Sequence, residues 1–314
     1  MLTPPETTAL GNGSSPTRLR MSWRLAGLVA VVVPNLVWGG AVFVAVVRGG
    51  EPVDWWTLEQ AAGRVGGPGL YEWPEPGDGF NYTYRYSPLF AWLMVPVTAL
   101  GIGAWRLLHL VVLAFLPWRL ALLTMLTWPF WEDVWHGNVM TFVAVSGYLA
   151  LRGNRLGAAS FLVLALLVPR PLMLPLLFWL AWKRPAWRGA GVAIVAVMAA
   201  LTVGTGYAVP FVEALSRSAN ESYLLLNPLP SRLIGFWWLV VGVPVAAWLV
   251  WKGRIGWASL AVSPYLWPYH GLMLLLEATR WNAISHGGSA MGLLFKWVRL
   301  PRPKALGPNP LNTD

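Results

Sequence analysis

Runs of about 20 apolar residues recur along the whole chain. At about 1.5 Å per residue, each run is long enough as an α-helix to cross a hydrocarbon core about 30 Å thick. Hydrophobic residues make up 56% of the 314 residues and charged residues only 11%, which is too little charge to cover a soluble protein of this size. The sequence therefore predicts an all-α fold, a polytopic transmembrane helical bundle of roughly eight or nine membrane segments.

A long polar stretch, residues 49–87, separates the first two apolar runs and contains six of the 13 acidic residues. A connection of roughly 40 residues is far longer than the usual link between two helices, and such loops are often functional. Its tryptophans and tyrosines supply apolar surface that a disordered segment lacks. We expect a folded extracytoplasmic loop that carries an active site.

The distribution of charge predicts the side of the membrane that each loop faces. Basic residues concentrate in cytoplasmic loops, and the topology that follows this rule places 11 Lys or Arg inside, five outside, and ten of the 13 acidic residues outside. It is a multi-pass plasma-membrane topology with a cytoplasmic N-terminus. Residues 1–23 form a flexible cytoplasmic tail, residues 24–276 the polytopic membrane domain, and residues 277–314 a C-terminal tail whose side stays open. The apolar run after Arg24 is too long for a signal-peptide core, so we retain it as the first span.

Prolines and polar residues divide the apolar regions further. The second span is expected from Pro88 to about Ile102, and one broken span over residues 105–131. A short outer turn is expected at residues 131–138. The sequence VPRPLMLP breaks a later helix near Arg170. Broken helices at membrane depth are tolerated where they line a cavity, so this break points to a site.

The composition also bears on partners and metals. The net charge of +10 comes from basic residues at the ends of apolar runs, and these do not form a patch that would indicate nucleic-acid binding. The chain has no cysteine, which excludes disulfides, thiolate metal sites and a cysteine nucleophile. A cluster of Glu132, Asp133 and His136 has some metal-ligand character, but adjacent acids rarely point the same way. We predict neither a metal nor another cofactor.

Six short motifs occur in a fixed order along residues 50–270. They are VDWW, GLY, YRYSPLFAWLMVP, HGNVMTF with VPRP, and SPYLWPYH. Together they resemble glycosyltransferase family 87, the polyprenol-phosphate-mannose-dependent mannosyltransferases of the GT-C membrane fold. Three positions depart from the family pattern, at Asn138 or Val139, Arg170 and Tyr269. Because the chain ends before the extra C-terminal spans of that family, we expect a C-terminally shortened member.

The resemblance implies a catalytic role for Asp54, which lies in the first outer loop. A carboxylate within hydrogen-bond reach of an acceptor hydroxyl could accept its proton during attack on the anomeric carbon. The transfer would then be a single displacement with inversion. The alternative is that Asp54 only caps a loop helix beginning at Trp55.

Three cationic or ionisable residues are candidates for binding the donor phosphate: His270, Arg170 and Arg85. An ionisable group inside an apolar span is costly and usually functional, which favours His270. It could instead be a neutral histidine bonded to Tyr265 or Tyr269. Arg170 must find an anion or extend its side chain to the membrane surface, and Arg85 could be an interfacial anchor beside its tyrosines.

Aromatic and amide side chains are candidates for binding the sugar or the acceptor. The tryptophan-rich composition has two interpretations, interfacial belts and platforms on which a sugar ring stacks. The predicted sugar-binding or acceptor-binding residues are Trp55, Trp56, Tyr84, Tyr86, Asn138 and Trp267.

The sequence thus predicts a membrane hexosyltransferase that moves a sugar, mannose by the resemblance, from a polyprenyl-phosphate-linked donor to a lipid or glycan acceptor at the outer face. Its partners would be this donor, the acceptor and the lipid bilayer, with no nucleic acid. Two alternatives stay open. One is a catalytically inactive GT-C-like membrane protein, and the other is a transporter of small solutes or lipids, which would need paired intramembrane charges and internal symmetry.

Overall fold

The computed structural model describes residues 16–49, 52–72, 84–221, 237–263 and 266–280, and every regular element in these ranges is a helix. The α-helices are α1 (Pro16–Val47), α2 (Val53–Gly63), α3 (Pro88–Ala99), α4 (Gly101–Leu113), α5 (Trp118–Met125), α6 (Trp128–His136), α7 (Met140–Leu151), α8 (Arg155–Leu167), α9 (Leu174–Lys183), α10 (Trp187–Gly204), α11 (Ala208–Glu221), α12 (Trp237–Trp251) and α13 (Ile255–Val262). A short 3-10 turn, Pro171–Met173, precedes α9, and a longer 3-10 helix, Pro268–Arg280, follows α13. The all-α class predicted from the sequence is confirmed.

The predicted second span does not continue to Ile102. Helix α3 ends at Ala99, and α4 leaves at an angle of 109° after the left-handed residue Gly101, whose φ is +79°. Only glycine adopts this conformation at little cost, so the bend is encoded locally. Because α3 and α4 are both apolar, composition alone did not reveal the bend.

The expected broken span at residues 105–131 is also divided differently. It becomes α4, α5 and the beginning of α6, with Pro117 directly before α5. The stretch predicted as an outer turn, residues 131–138, is helical through His136 and turns only at Gly137. Because α6 is only nine residues long, it has too few turns to show a clear helical period.

Helix α7 lies at the centre of the fold, with nine of its 12 residues buried. It packs against α8 and the long 3-10 helix. Gly157 on α8 permits the closest approach, because a Cβ at this position would lie 2.4 Å from Cβ of Leu149. Small residues allow helices to pack this closely, in membranes as in soluble bundles.

Helix α10 has the opposite character, because none of its 18 residues is buried. It is the one described helix that by itself is long and apolar enough to cross a membrane, and the bent pair α3 and α4 would count as a second span if taken together. Shorter apolar helices of 10–17 residues lie in the regions of other predicted spans: Val32–Val47, Met140–Leu151, Arg155–Leu167, Pro171–Lys183 and Trp237–Trp251.

Two predicted boundaries fall inside helices. Helix α1 begins at Pro16, within the stretch predicted as a flexible tail, and the long 3-10 helix continues past residue 276 to Arg280. Residues 1–15, residues 73–83 of the long loop and the C-terminal residues 281–314 lie outside the described residues.

Candidate active site

Asp54 lies in the first turn of α2, which begins at Val53. The alternative in which Asp54 caps a helix starting at Trp55 is therefore wrong. The residue before the helix is Pro52, and its side chain makes no capping hydrogen bond. A carboxylate in the first turn is still favoured by the helix dipole. Its Oδ2 accepts a hydrogen bond of 2.6 Å from Nδ2 of Asn138, so the side chain points toward the α6–α7 connection.

Asn138 reaches Asp54 because of the tight turn that ends α6. Gly137 has φ of +69°, and its carbonyl oxygen accepts a 2.8 Å hydrogen bond from Nε1 of Trp105. The amide nitrogen of Asn138 donates to the carbonyl oxygen of Asp133 at 3.0 Å, and its Oδ1 accepts from the amide of Val139 at 2.7 Å. With its Oδ1 occupied, the Asn138 side chain can only present its NH₂ group to Asp54.

Asp133 and His109 form a buried layer beneath this turn, and both side chains are fully inaccessible. The Asp133 carboxylate accepts hydrogen bonds from the backbone amides of Met140 and Thr141 at 3.1 and 2.7 Å, and from Oγ1 of Thr141 at 2.6 Å. It therefore satisfies amides at the start of α7 that would otherwise lack partners.

The ring of His109 joins α4 to this layer. Nδ1 lies 2.8 Å from the carbonyl oxygen of Trp105, and Nε2 lies 2.8 Å from that of Asn138 and 3.5 Å from Oδ2 of Asp133. Because carbonyl oxygens only accept, both contacts are satisfied only when each ring nitrogen carries a proton. The ring thus lies between Asp133 and the carbonyl oxygen of Asn138, and this contact helps to fix the backbone of Asn138.

Arg170 and His270 form the cationic side of the site. Nη2 of Arg170 donates to the hydroxyl oxygen of Tyr86 at 2.7 Å, and Nη1 lies 3.3 Å from Nε2 of His270. The loop that carries Arg170 is held near Tyr86 by a 2.8 Å hydrogen bond from the amide of Ser87 to the carbonyl of Leu167. The break predicted at VPRP thus positions an arginine, whose guanidinium is only partly buried.

His270 faces hydrogen-bond donors on both ring nitrogens. Nδ1 accepts from the backbone amide of Trp267 at 3.2 Å, while Nε2 faces the guanidinium of Arg170. A neutral imidazole has only one acceptor nitrogen, and a guanidinium has none. With Nδ1 as the acceptor, Nε2 carries the proton of the neutral ring.

Trp267, Tyr269 and His136 form an aromatic wall beside these groups. The rings of Trp267 and Tyr269 stack with centroids 6.3 Å apart and planes within 10°, and the His136 ring lies 6.5 and 6.2 Å from them. The guanidinium carbon of Arg170 lies 5.8 Å from the centre of the Tyr269 ring. Tyr269 is buried, whereas Trp267 is partly exposed and is the member of the wall whose face could stack on a sugar ring.

The electrostatics of Asp54 and His136 are coupled. Burial raises the pKa of Asp54, although the charges of His136 and Arg170 and the Asn138 hydrogen bond oppose that rise. Burial lowers the pKa of His136, but its hydrogen bond to Glu132 and the nearby carboxylate of Asp54 outweigh this and raise it above the ordinary value. A raised pKa makes a carboxylate a stronger base once it is ionised.

The structure brings together Asp54, Asn138, Tyr86, Arg170 and His270, which the sequence predicted as site residues. Trp267 lies in the adjoining aromatic wall. The guanidinium of Arg170 is held by Tyr86, and its extension to the membrane surface stays an alternative.

Other predicted site residues are part of the core. Trp55 is only 5% exposed and packs against Gly137, and Tyr84 is 3% exposed with its hydroxyl donating to the carbonyl of Ser87 at 2.7 Å. Neither can stack on a sugar from solvent. Trp56 and Arg85 are half-buried.

Glu132 and Asp133 point to different partners, as expected for adjacent acids. Glu132 accepts from Nε1 of Trp128 at 2.9 Å and lies 3.3 Å from Nε2 of His136, whereas Asp133 faces α7. Within the described ranges, no group of three or more histidine, aspartate or glutamate side chains is arranged to hold a metal ion.

Sequence reasoning did not identify His109, Asp133 or Tyr269 as parts of the site. The only available signal was that His109 and Asp133 are ionisable residues next to long apolar runs, where such groups need a partner.

Comparison of the chain with known protein families, with curated protein sequences and with solved structures finds no significant match.

Proposed function

We propose that this protein is a polytopic membrane hexosyltransferase that uses a polyprenyl-phosphate-linked sugar. The observation that carries the proposal is the arrangement of one partly buried carboxylate, Asp54, within electrostatic range of Arg170 and beside His136. Arg170 in turn lies against His270, with Nη1 3.3 Å from Nε2, which puts a guanidinium beside an imidazole where the donor phosphate would bind. A base next to an anion-binding pair is what transfer from a lipid phosphate requires.

In the proposed reaction, the acceptor hydroxyl gives its proton to the carboxylate of Asp54 as its oxygen attacks the anomeric carbon. The bond between this carbon and the phosphate oxygen breaks, and its electron pair leaves with the polyprenyl phosphate. Arg170 and His270 donate hydrogen bonds to the phosphate as its negative charge grows. The attack comes from the face opposite the leaving group, so the configuration inverts.

The membrane setting is supported by the surface of the bundle. Large apolar side chains are exposed along α4, α10 and α12, among them Leu107, Val192 and Trp248. A contiguous apolar surface of this kind marks contact with lipid or with another protein. We infer a multi-pass plasma-membrane protein whose candidate site faces the extracytoplasmic side.

The test is transfer of radiolabelled mannose from polyprenyl-phosphate-mannose to membrane lipid or glycan by purified wild type and Asp54→Asn. Loss of a general base reduces the rate by about 10²- to 10⁴-fold. The matched control is Glu59→Gln, which removes an exposed carboxylate from the same helix. Equal activity of wild type and Asp54→Asn would remove Asp54 from the mechanism. Absence of transfer by every protein across a panel of donors and acceptors would favour an inactive relative or a transporter.

A further inference from the structure

A second cavity, of about 470 Å³, lies at the other end of the bundle. Its lining contains three basic side chains from three separate elements: Arg152 directly after α7, Lys252 between α12 and α13, and Arg280 at the end of the long 3-10 helix. The remaining lining residues are Leu151, Trp179, Gly253, Ile255 and Thr279. No acidic residue lines the cavity.

Two elements show how far this cavity is from the candidate active site. Helix α7 begins two residues after Asn138 and ends at Leu151, directly before Arg152, and the 3-10 helix contains both His270 and, at its end, Arg280. Twelve α-helical residues span about 18 Å, and ten 3-10 residues about 20 Å. Both elements thus place the cavity about 20 Å from the candidate active site, so the two are separate.

The acidic residue nearest in sequence already has its own partners. Glu277 accepts hydrogen bonds from the amide of Gly256 at 2.9 Å and from Arg254 at 3.3 Å. In the described part of the chain, no ion pair connects Arg152, Lys252 or Arg280 to a carboxylate. Arg152, Lys252 and Arg280 are all exposed, so the open pocket presents three positive charges to its surroundings, and the residues that line it include no carboxylate.

Basic residues after helix ends also have a simple structural role, because they complement the helix dipole and mark a cytoplasmic loop. That role does not explain why they share one cavity. Arg280 is held at the turn by a 3.3 Å hydrogen bond to the backbone carbonyl of Lys252, while the Lys252 ammonium lies 4.3 Å from the centre of the Trp251 ring. A guanidinium has further donors for a ligand.

We propose that this cavity binds a phosphate-bearing anion, and that Arg152, Lys252 and Arg280 hold it. Its volume is within the range of small-molecule sites, and basic pockets on the cytoplasmic side of membrane bundles suit anionic lipid headgroups. The same phosphate chemistry is offered by a free soluble phosphate. The proposal requires neither Asp54 nor transfer activity.

The experiment is native mass spectrometry of the full chain in detergent, with phosphatidylglycerol, phosphatidylcholine and inorganic phosphate as probes. The test variant is Arg152→Gln/Arg280→Gln, and the control is Arg155→Gln, an exposed arginine three residues from Arg152. Loss of one charged hydrogen-bond donor weakens binding about tenfold or more. We expect the double variant to lose phosphatidylglycerol binding, and Arg155→Gln and Asp54→Asn to retain it.

The outcomes separate the two sources of phosphate. Binding of phosphatidylglycerol without competition by inorganic phosphate identifies a lipid ligand, and saturable binding of inorganic phosphate alone identifies a soluble one. Arg152→Lys/Arg280→Lys keeps both charges and should keep binding, which guards against misfolding of the glutamine variant. Equal binding by the glutamine variant and wild type, equal loss in Arg155→Gln, or equal affinity for phosphatidylcholine overturns the proposal.

Discussion

Two opposing influences set the proton affinity of Asp54. Burial raises its pKa, while the positive charges of His136 and Arg170 and the hydrogen bond from Asn138 lower it. The net effect is a raised pKa, smaller than burial alone would produce. This balance gives predictions for stability and for activity that can be measured separately.

We expect Asp54→Asn to change how stability depends on pH. Because the folded pKa of Asp54 is raised, its contribution to the free energy of unfolding is fully present below its ordinary pKa and is lost as pH rises through the folded value. The variant should therefore gain stability relative to wild type as pH rises above the ordinary pKa of an aspartate. Thermal unfolding in detergent across this pH range measures the difference. A gap between the two proteins that stays constant with pH would contradict the raised pKa.

His136→Gln should shift the acidic limb of the pH profile of transfer activity to higher pH. The charge of His136 lowers the pKa of Asp54, and its own raised pKa keeps it charged over a wider range. Without this charge, Asp54 holds its proton to higher pH and is ionised later. The measurement is kcat/KM against pH for both proteins. A limb that stays in place, or moves to lower pH, would show that His136 does not act on the base.

At the scale of elements, the site depends on the contact between α2 and the turn after α6. A Cβ on Gly137 would lie 2.8 Å from Cβ of Trp55, and the backbone there is left-handed. Glycine is therefore required at this position for two reasons: the backbone is left-handed, and a side chain would overlap with Trp55. The hydrogen bond between Asp54 and Asn138 spans this contact.

Gly137→Ala should destabilise the protein and reduce activity together. We expect a backbone cost of about 1–2 kcal/mol for alanine in the left-handed region, and roughly 1–3 kcal/mol more from the overlap with Trp55. Gly206→Ala is the matched control, because Gly206 has φ of +76° and open space around its Cβ position. Thermal unfolding measures both variants. Equal losses in the two would show that the contact with Trp55 costs nothing.

The motifs predicted which polar residues share the candidate site, but they did not predict the bounds of the short helices that carry these residues. Asp54 and Asn138 were both predicted, although 84 positions separate them. Residue spacing could not show that α6 is a helix or that Trp55 faces the core, because such short helices carry little periodicity. The pairing of His109 with Asp133 depends on how α4 packs on α6, and no local pattern encodes that geometry.

At the scale of the whole molecule, the proposed topology places the long loop and the α7–α8 connection on opposite sides of the membrane. Glu59 on α2 and Arg155 at the start of α8 are both exposed. The chain contains no cysteine, so a single introduced cysteine would be its only thiol.

Glu59→Cys in intact cells should react with a membrane-impermeant maleimide, and Arg155→Cys should react only after the membrane is permeabilised. The expectation follows from the excess of basic residues on the cytoplasmic side. Mass tagging of the purified protein measures the reaction. Labelling of both positions from the same side would overturn the topology and the placement of the candidate site with it.

The contrast between α7 and α10 has a consequence for how this sequence can change over evolutionary time. Nine of the 12 residues of α7 are buried, whereas none of the 18 in α10 is. Substitutions in α7 must preserve shape, because close-packed interiors respond to a change of one methylene. In α10 only apolar character needs to persist, and many different side chains supply it. Among descendants of this chain, α10 should diverge freely in identity while α7 stays nearly fixed.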